Sequence, residues 1–345
     1  MTEITIKNFD SAFLDVRSPQ EFEKGAIPGA VNIPILNDQE RKLVGTCYVK
    51  KGAEEAIKRG HQLVNGKIKE ERVTQWADFV KRNSDASLYC ARGGLRSQIA
   101  QQWLKEADIN IPRVQGGYKA LRNYLLKQLT LLCPKLPLIV LSGKTGGGKT
   151  TYLKQQPYYI DLEALANHRG SAFGSFNTPQ PTTMNFENEL ALLIIKLSTK
   201  TIPKIMIEDE SFLIGKLLIP PPLYDQMMTS PVIVLQTPLD ERVNNILNEY
   251  ILDPLKQGNS SFEQRLQTLK EQFLANLKRI SKKLGGALFS EISNDMQRAF
   301  ETTLKENDNN LHKVWIEKLL THYYDPRYDY SLVKHKHRII GNCHE

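Results

Sequence analysis

The sequence has no apolar run of the length a bilayer demands. Its longest, Leu136 to Leu141, falls far short of the roughly 18 to 20 residues a spanning helix needs, so no membrane anchor is expected. The opening Met1-Thr-Glu-Ile-Thr-Ile-Lys has neither a basic n-region nor an apolar h-region, and the expectation is a cytoplasmic protein. Cysteine is scarce. Cys47, Cys90, Cys133 and Cys343 are widely spaced with no CxxC pair, which argues against a disulfide framework and a zinc ribbon and leaves four thiols. There is no internal repeat and no low-complexity segment, so a solenoid is not expected. Acidic residues are the minority, 38 against 46 lysines and arginines for a net charge of +8, and that balance favours a polyanionic partner. The 345 residues, 41% of them hydrophobic, suffice for two domains with separate cores.

The order of elements reads as α/β. Ser11 to Val16 predicts a buried strand, Ser18 to Lys24 a helix opened by Ser-Pro, and Ala30 to Pro34 a second short strand. Helical segments follow over Ala53 to Val64 and Val73 to Arg82, then a strand over Ala86 to Cys90 and a helix over Ser97 to Ala107, whose Ile99, Trp103 and Leu104 share one face. A further helix, Leu121 to Leu132, is interrupted by Cys133-Pro-Lys-Leu-Pro. The boundary between a domain spanning 1–132 and one spanning 133–345 is placed there. Leu136 to Ser142 is apolar throughout, as a strand buried on both faces of a parallel sheet would be. Further strands are expected at Lys204 to Ile207 and Val232 to Gln236. Leu239 to Tyr324 reads as a mostly helical extension, including an amphipathic stretch from Phe262 to Leu284 that stops at Gly285.

Chemistry first shows at Cys90-Ala-Arg-Gly-Gly-Leu-Arg-Ser. A cysteine between a strand and a helix N-terminus sits among backbone N–H groups at the positive end of the helix dipole, where anions and thiolates are stabilised. Arg92 and Arg96 add charge, while Ala91, Gly93, Gly94 and Leu95 complete the anion loop. The other cysteines have no such setting. Cys47 and Cys133 read as packing residues and Cys343 as part of a frayed tail.

Two motifs, Leu14-Asp-Val-Arg-Ser-Pro-Gln-Glu-Phe-Glu-Lys-Gly-Ala-Ile-Pro-Gly-Ala-Val-Asn-Ile-Pro and the later Cys90 loop, make the first 120 or so residues resemble the rhodanese family. The resemblance implies that Cys90 carries sulfur or selenium and that Asp15 and Arg17 form a structural ion pair. Without the resemblance, these two read as a solvated pair worth little. Cys90 to Arg96 also fits the Cys-x5-Arg pattern of thiol phosphatases, which keeps phosphoryl chemistry open, although no general-acid aspartate stands out nearby.

The second motif is Gly143-Lys-Thr-Gly-Gly-Gly-Lys-Thr, which fits G-x-x-x-x-G-K-[ST] after an apolar strand and before a helix. Gly143, Gly146, Gly147 and Gly148 allow backbone N–H groups to approach a diphosphate, Lys149 supplies a point charge, and Thr150 and Thr151 complete the site. The partner carboxylates are expected in Ile205-Met-Ile-Glu-Asp-Glu, at Glu208 and Asp209, with a Mg²⁺ ion held through Thr150 and Asp209.

A rhodanese-like domain followed by a P-loop domain, together with Ala166-Asn-His-Arg-Gly-Ser-Ala-Phe-Gly, Gln180-Pro-Thr leading to Phe186-Glu-Asn, Ile207-Glu-Asp-Glu-Ser and Tyr323-Tyr-Asp-Pro-Arg-Tyr-Asp-Tyr, resembles the tRNA 2-selenouridine synthase family over nearly the whole chain. The resemblance implies an N-terminal rhodanese-like domain and a C-terminal P-loop NTPase-like parallel-sheet domain with a helical C-terminal extension. It also implies exchange of sulfur for selenium at C2 of a modified wobble 2-thiouridine. Selenophosphate and geranyl diphosphate are the implied substrates, an S-geranylated nucleoside the intermediate, and no tightly bound cofactor is called for. A selenophosphate-supplying enzyme is an implied partner, and a monomer is expected.

His168 and Arg169 become candidates for phosphate or tRNA on the same ground. Lys278, Arg279, Lys282 and Lys283 recur at helical spacing as candidate tRNA contacts, and Lys334-His-Lys-His-Arg adds charge near the end. Two other readings stand beside this one. A phosphatase or sulfurtransferase with a nucleotide-binding domain would release phosphate or thiocyanate without tRNA, and an RNA-binding protein with a vestigial cysteine would bind tRNA equally well after Cys90→Ala.

Overall fold

The computed structural model describes residues 9–174, 178–334 and 336–344. The N-terminal heptapeptide and His335 of the basic stretch lie outside the described residues. The chain forms two compact units, one of residues 1–135 with 181–201, the other of residues 136–180 with 202–345. A single cut after residue 132 therefore does not describe it. The helix Thr183–Ser198 joins the first unit through hydrogen bonds. Asn185 accepts from the Ala26 N–H at 2.8 Å, Asn188 donates to the Ala26 carbonyl at 2.6 Å, and Arg122 donates to Asn188 at 2.7 Å and also pairs with Glu187.

In the first unit, β1 (Phe13–Asp15), β2 (Val31–Asn32) and β3 (Ser87–Tyr89) form a parallel sheet in the order β2-β1-β3. β1 is wholly and β3 largely buried because their residues are apolar or paired, whereas the edge strand β2 leaves Val31 exposed. Leu14 and Leu88 are inaccessible, and Trp76 stacks on Trp103 with ring centroids 6.2 Å apart. The Trp76 indole N–H donates to the Ile33 carbonyl at 2.9 Å, which satisfies the polar edge of a buried ring. The helix Asp38–Lys51 was not apparent in the sequence. It starts with a reciprocal cap, in which the Glu40 N–H donates to the Asn37 side chain at 2.9 Å and the Asn37 N–H to Glu40 at 2.8 Å. No residue of this helix is buried, so the apolar stripe that betrays most helices is missing. The next helix, Ala53–Leu63, follows directly after Gly52.

In the second unit, β4 (Leu138–Gly143), β5 (Tyr159–Ile160), β6 (Ile205–Glu208), β9 (Val232–Gln236) and β10 (Ile339–His344) form a parallel sheet in the order β10-β9-β4-β6-β5. Between β6 and β9 lies a small antiparallel hairpin, β7 (Leu213–Ile214) and β8 (Leu217–Leu218). Strand β4 is central and its even apolarity follows from that position. Helices Phe262–Leu284, Gly286–Glu306 and Leu311–Leu319 surround Phe273, Leu277, Met296, Phe300 and Trp315. The helical extension is not the end of the chain. Buried Arg338 donates to the carbonyls of Met227 at 2.7 Å and Ser230 at 3.1 Å, and this anchor returns the chain to the sheet as β10. Cys343, expected in a frayed tail, is thus half-buried and pairs in register with Leu235. Among the described residues no helix is long and apolar enough to cross a membrane.

Candidate active-site loops

Cys90 follows β3 directly, and the helix Leu95–Glu106 begins after Gly94. The cysteine is buried. Its thiol lies 3.2 Å from the Ser97 hydroxyl, which itself donates to the Gly94 carbonyl at 2.9 Å. At that distance the Ser97 hydroxyl is also within reach to donate to the sulfur. The loop's carbonyls face a second chain segment: the Tyr118 N–H donates to Cys90 at 2.9 Å, the Lys119 N–H to Ala91 at 3.0 Å, and Arg113 to Gly93 at 2.9 Å. Among the described residues no backbone hydrogen bond uses the N–H of Ala91, Arg92, Gly93 or Gly94, so these donors are available to an anion. The apposition requires glycine at 117. Its φ is +57° and a β-carbon there would collide with the Cys90 carbonyl oxygen.

The two arginines of the loop differ. Arg92 is exposed, whereas Arg96 is engaged by Glu21 through Nη1–Oε2 at 2.5 Å and Nη2–Oε1 at 3.0 Å. Burial alone would raise the Glu21 carboxyl, but the hydrogen bonds and charge of Arg96 outweigh it and hold it at about 2. Asp15 and Arg17 are no solvated pair. Both are buried, with Nη2–Oδ2 at 2.6 Å, and the Arg17 guanidinium sits 3.9 Å from the Tyr118 ring centroid. Cys133 is buried as the sequence suggested, and burial pushes its thiol up to about 12.

In the second unit the phosphate-binding motif runs from the end of β4 into the helix Lys149–Lys154. Lys149 donates to the Gly143 carbonyl at 2.9 Å. The pairing of Leu141 with Glu208 brings the end of β6 alongside the loop. Thr150 donates to Glu208 at 3.0 Å, whereas Asp209 accepts from Ser142 at 2.6 Å. The carboxylate beside Thr150 is therefore Glu208, not Asp209, because strand alternation turns successive side chains to opposite faces. Two further carboxylates, absent from the sequence-level assignment of the loop, join it. Glu163 lies 3.5 Å from the Thr150 hydroxyl, and Glu210 lies so near Gly170 that a β-carbon there would come within 2.6 Å of its oxygen. Glu163 and Glu208 are both pushed up to about 8, first by burial, then by the charge of Glu210 on Glu163 and of Glu163 on Glu208. Only the stretch Asp161-Leu-Glu after a short strand could have signalled Glu163.

His168 and Arg169 reach the same neighbourhood, since the His168 N–H donates to the Glu163 carbonyl at 3.0 Å. His168 Nδ1 is buried with no partner among the described residues, and burial, then the charge of Arg279, lowers its pKa. The Arg169 guanidinium lies 4.6 Å from the Tyr250 ring centroid and donates to the Glu249 carbonyl at 3.1 Å. Lys278, Arg279, Lys282 and Lys283 are all exposed on the helix Phe262–Leu284. The tyrosine-rich motif near the C-terminus packs on the phosphate loop. Asp325 accepts from Arg242 at 2.6 and 3.0 Å, Arg242 donates to the Thr145 carbonyl at 3.0 Å, and Tyr328 meets Ser142 at 3.2 Å. Lys144 pairs with Asp325 and Asp329, each at 3.3 Å.

Residues 136–345 match the family model described as tRNA 2-selenouridine synthase AAA domain, and residues 3–124 match the rhodanese-like domain. A protein named tRNA 2-selenouridine synthase from Shewanella woodyi is 44% identical over 333 residues, which cover 95% of this chain and 89% of that one. Proteins of the same name are 44% identical in Shewanella denitrificans, over 95% of this chain and 90% of the other, and 43% identical in Shewanella oneidensis, over 95% and 88%.

Proposed function

Since the chain belongs to the tRNA 2-selenouridine synthase family, we propose that it replaces sulfur by selenium at C2 of a wobble 2-thiouridine in tRNA through an S-geranylated intermediate. The observation that carries this reading is that one chain holds two loops suited to two different anions: a cysteine loop with available amides and a phosphate loop whose Thr150 meets Glu208.

In the first step the thiocarbonyl sulfur attacks C1 of geranyl diphosphate, the C–O bond breaks, and diphosphate leaves. The amides of Gly146 and Gly148 and the Lys149 ammonium bind the leaving group, which gains charge as the bond breaks, while the Gly147 N–H, donating to the Lys144 carbonyl at 3.0 Å, holds the turn. Thr150 and Glu208 fit a Mg²⁺ ion, which takes one or two carboxylates plus phosphate oxygens, and a bound ion would supply further neutralisation of the diphosphate. Glu163 would lie beside it. In the second step selenium from selenophosphate attacks C2 and the S-geranyl group leaves as a thiolate; water then cleaves the P–Se bond and phosphate departs. Cys90 meets the selenium, the amides of Ala91 to Gly94 receive the donor's phosphate, Arg92 adds charge, and Arg96 positions the loop through Glu21. The enzyme that makes selenophosphate would act immediately upstream. His168, Arg169, Lys278, Arg279, Lys282 and Lys283 are the proposed contacts to phosphate or tRNA.

Nucleoside mass spectrometry of 2-thiouridine tRNA incubated with the protein, geranyl diphosphate and selenophosphate tests the reading. The expected product is the selenouridine. Release of phosphate or thiocyanate with unchanged tRNA would favour the phosphatase or sulfurtransferase instead.

A further inference from the structure

Beside the Cys90 loop, within the first unit, lies a chamber of about 450 Å³, a size that suits a small-molecule site. Val44, Tyr48, Ile57, Leu95, Ile99 and Trp103 line it, and its charged groups are Arg41 and Arg96, with His61 and the Tyr48 phenol as the remaining titratable side chains. Leu95 and Arg96 open the helix that the cysteine loop runs into. The chamber accounts for the apolar residues of the helix Asp38–Lys51, none of which is fully buried: Val44 both packs against the core and lines the chamber, and Tyr48 and Val49 line it as well. Tyr48, Val49 and Leu95 remain 60%, 84% and 50% exposed, an apolar surface of the kind that marks a binding site. A small inorganic anion at Cys90 has no use for it.

A second, polar cleft of about 770 Å³ shares Arg41, Gly45 and Val49 with the chamber. It adds Lys24, Lys42 and Lys50 against the carboxylates of Glu21 and Asp38, and Glu21 is already neutralised by Arg96. An apolar hole that opens into a basic cleft is complementary to an apolar chain carried by a polyanion.

We propose that the chamber receives the prenyl chain of the S-geranylated nucleoside while the cleft takes the adjoining tRNA backbone, which presents the thioether carbon to the Cys90 loop. The proposal rests on the function given above. Ten carbons in the chamber would make the prenylated nucleoside the preferred ligand of this unit, so the intermediate is retained and its precursor is not.

The test measures the affinity of the full chain for two anticodon stem-loop RNAs, one with 2-thiouridine and one with its S-geranyl derivative. It uses wild type, Gly60→Leu and Tyr48→Asp. Gly60 lines the chamber, and a β-carbon there meets only Val44 at 3.9 Å, so leucine fills the space without displacing backbone; Tyr48 lines the chamber but not the basic cleft, and Tyr48→Asp puts a charge at the exposed mouth. The expected result is a preference of at least about tenfold for the geranylated RNA in wild type, since each buried methylene adds severalfold. Both variants should lose that preference, yet bind the thio-RNA and geranylate it as wild type does. A preference that survives in both variants, or none in wild type, overturns the proposal. Failure of the underlying function looks different: the preference and its loss would persist in a protein that neither geranylates nor selenates tRNA.

Discussion

Thr150 shows how single residues carry the phosphate-loop chemistry. Its hydroxyl lies between Glu208 and Glu163, two carboxyls that burial raises to about 8. In the unfolded chain both ionise near 4.5, so between those values the folded protein binds the extra protons. The stability they contribute is complete below about 4.5 and is lost as the pH rises through about 8. Glu208→Gln, which keeps an acceptor for Thr150, should make the ligand-free protein on the order of 2 kcal/mol more stable at pH 8 and change little at pH 4.5. Urea unfolding at the two pH values checks this, and an unaltered pH dependence would contradict it. Cys90, Lys149 and Thr150 were legible in the sequence because each lies in a short contiguous motif. Ser97 lies inside the cysteine motif but had no role assigned, because serine alone signals none; Glu21 and Glu163 were not assigned, since their partners come from elsewhere: Glu21 meets Arg96 across 75 positions and Glu163 meets Glu208 across 45.

Between elements, the turn before the helix Gly117–Leu132 acts as the backing of the cysteine loop. Gly117→Ala forces a β-carbon onto the Cys90 carbonyl at positive φ, a strain of about 1 to 3 kcal/mol or more. The loop should deform, with selenation falling at least tenfold while the geranylation step persists; equal loss of both steps would reject a local effect. The helix Leu239–Leu247 is tied to the C-terminal motif by the Arg242–Asp325 pair, with Arg242 only 3% exposed. Asp325→Ala leaves that guanidinium buried without its carboxylate and should cost about 3 kcal/mol, read as a lowered denaturation midpoint. A loss below about 1 kcal/mol would mean that the pair contributes little. Strands β1, β3, β4, β6 and β9 were readable as apolar runs. Helix Asp38–Lys51 and strand β10 were not, the first because it buries nothing and the second because a single arginine anchors an otherwise polar segment.

For the molecule as a whole, the excess of eight positive charges and the exposed row at Lys278, Arg279, Lys282 and Lys283 fit a nucleic-acid substrate. Neutralising Lys278 and Arg279 together should reduce the slope of log affinity against log salt by up to about two units. Fluorescence anisotropy over a salt series measures it, and an unchanged slope would remove these residues from the interface. In the proposed reaction, alkylation belongs to the phosphate loop and exchange to the cysteine loop. Its most direct test is nucleoside mass spectrometry of 2-thiouridine tRNA after reaction with both substrates, comparing wild type, Cys90→Ala and Lys149→Ala. The expected products are selenouridine from wild type, an accumulated S-geranyl nucleoside with Cys90→Ala, and unmodified 2-thiouridine with Lys149→Ala. Selenouridine from Cys90→Ala at the wild-type rate, or S-geranyl nucleoside from Lys149→Ala, would contradict that assignment.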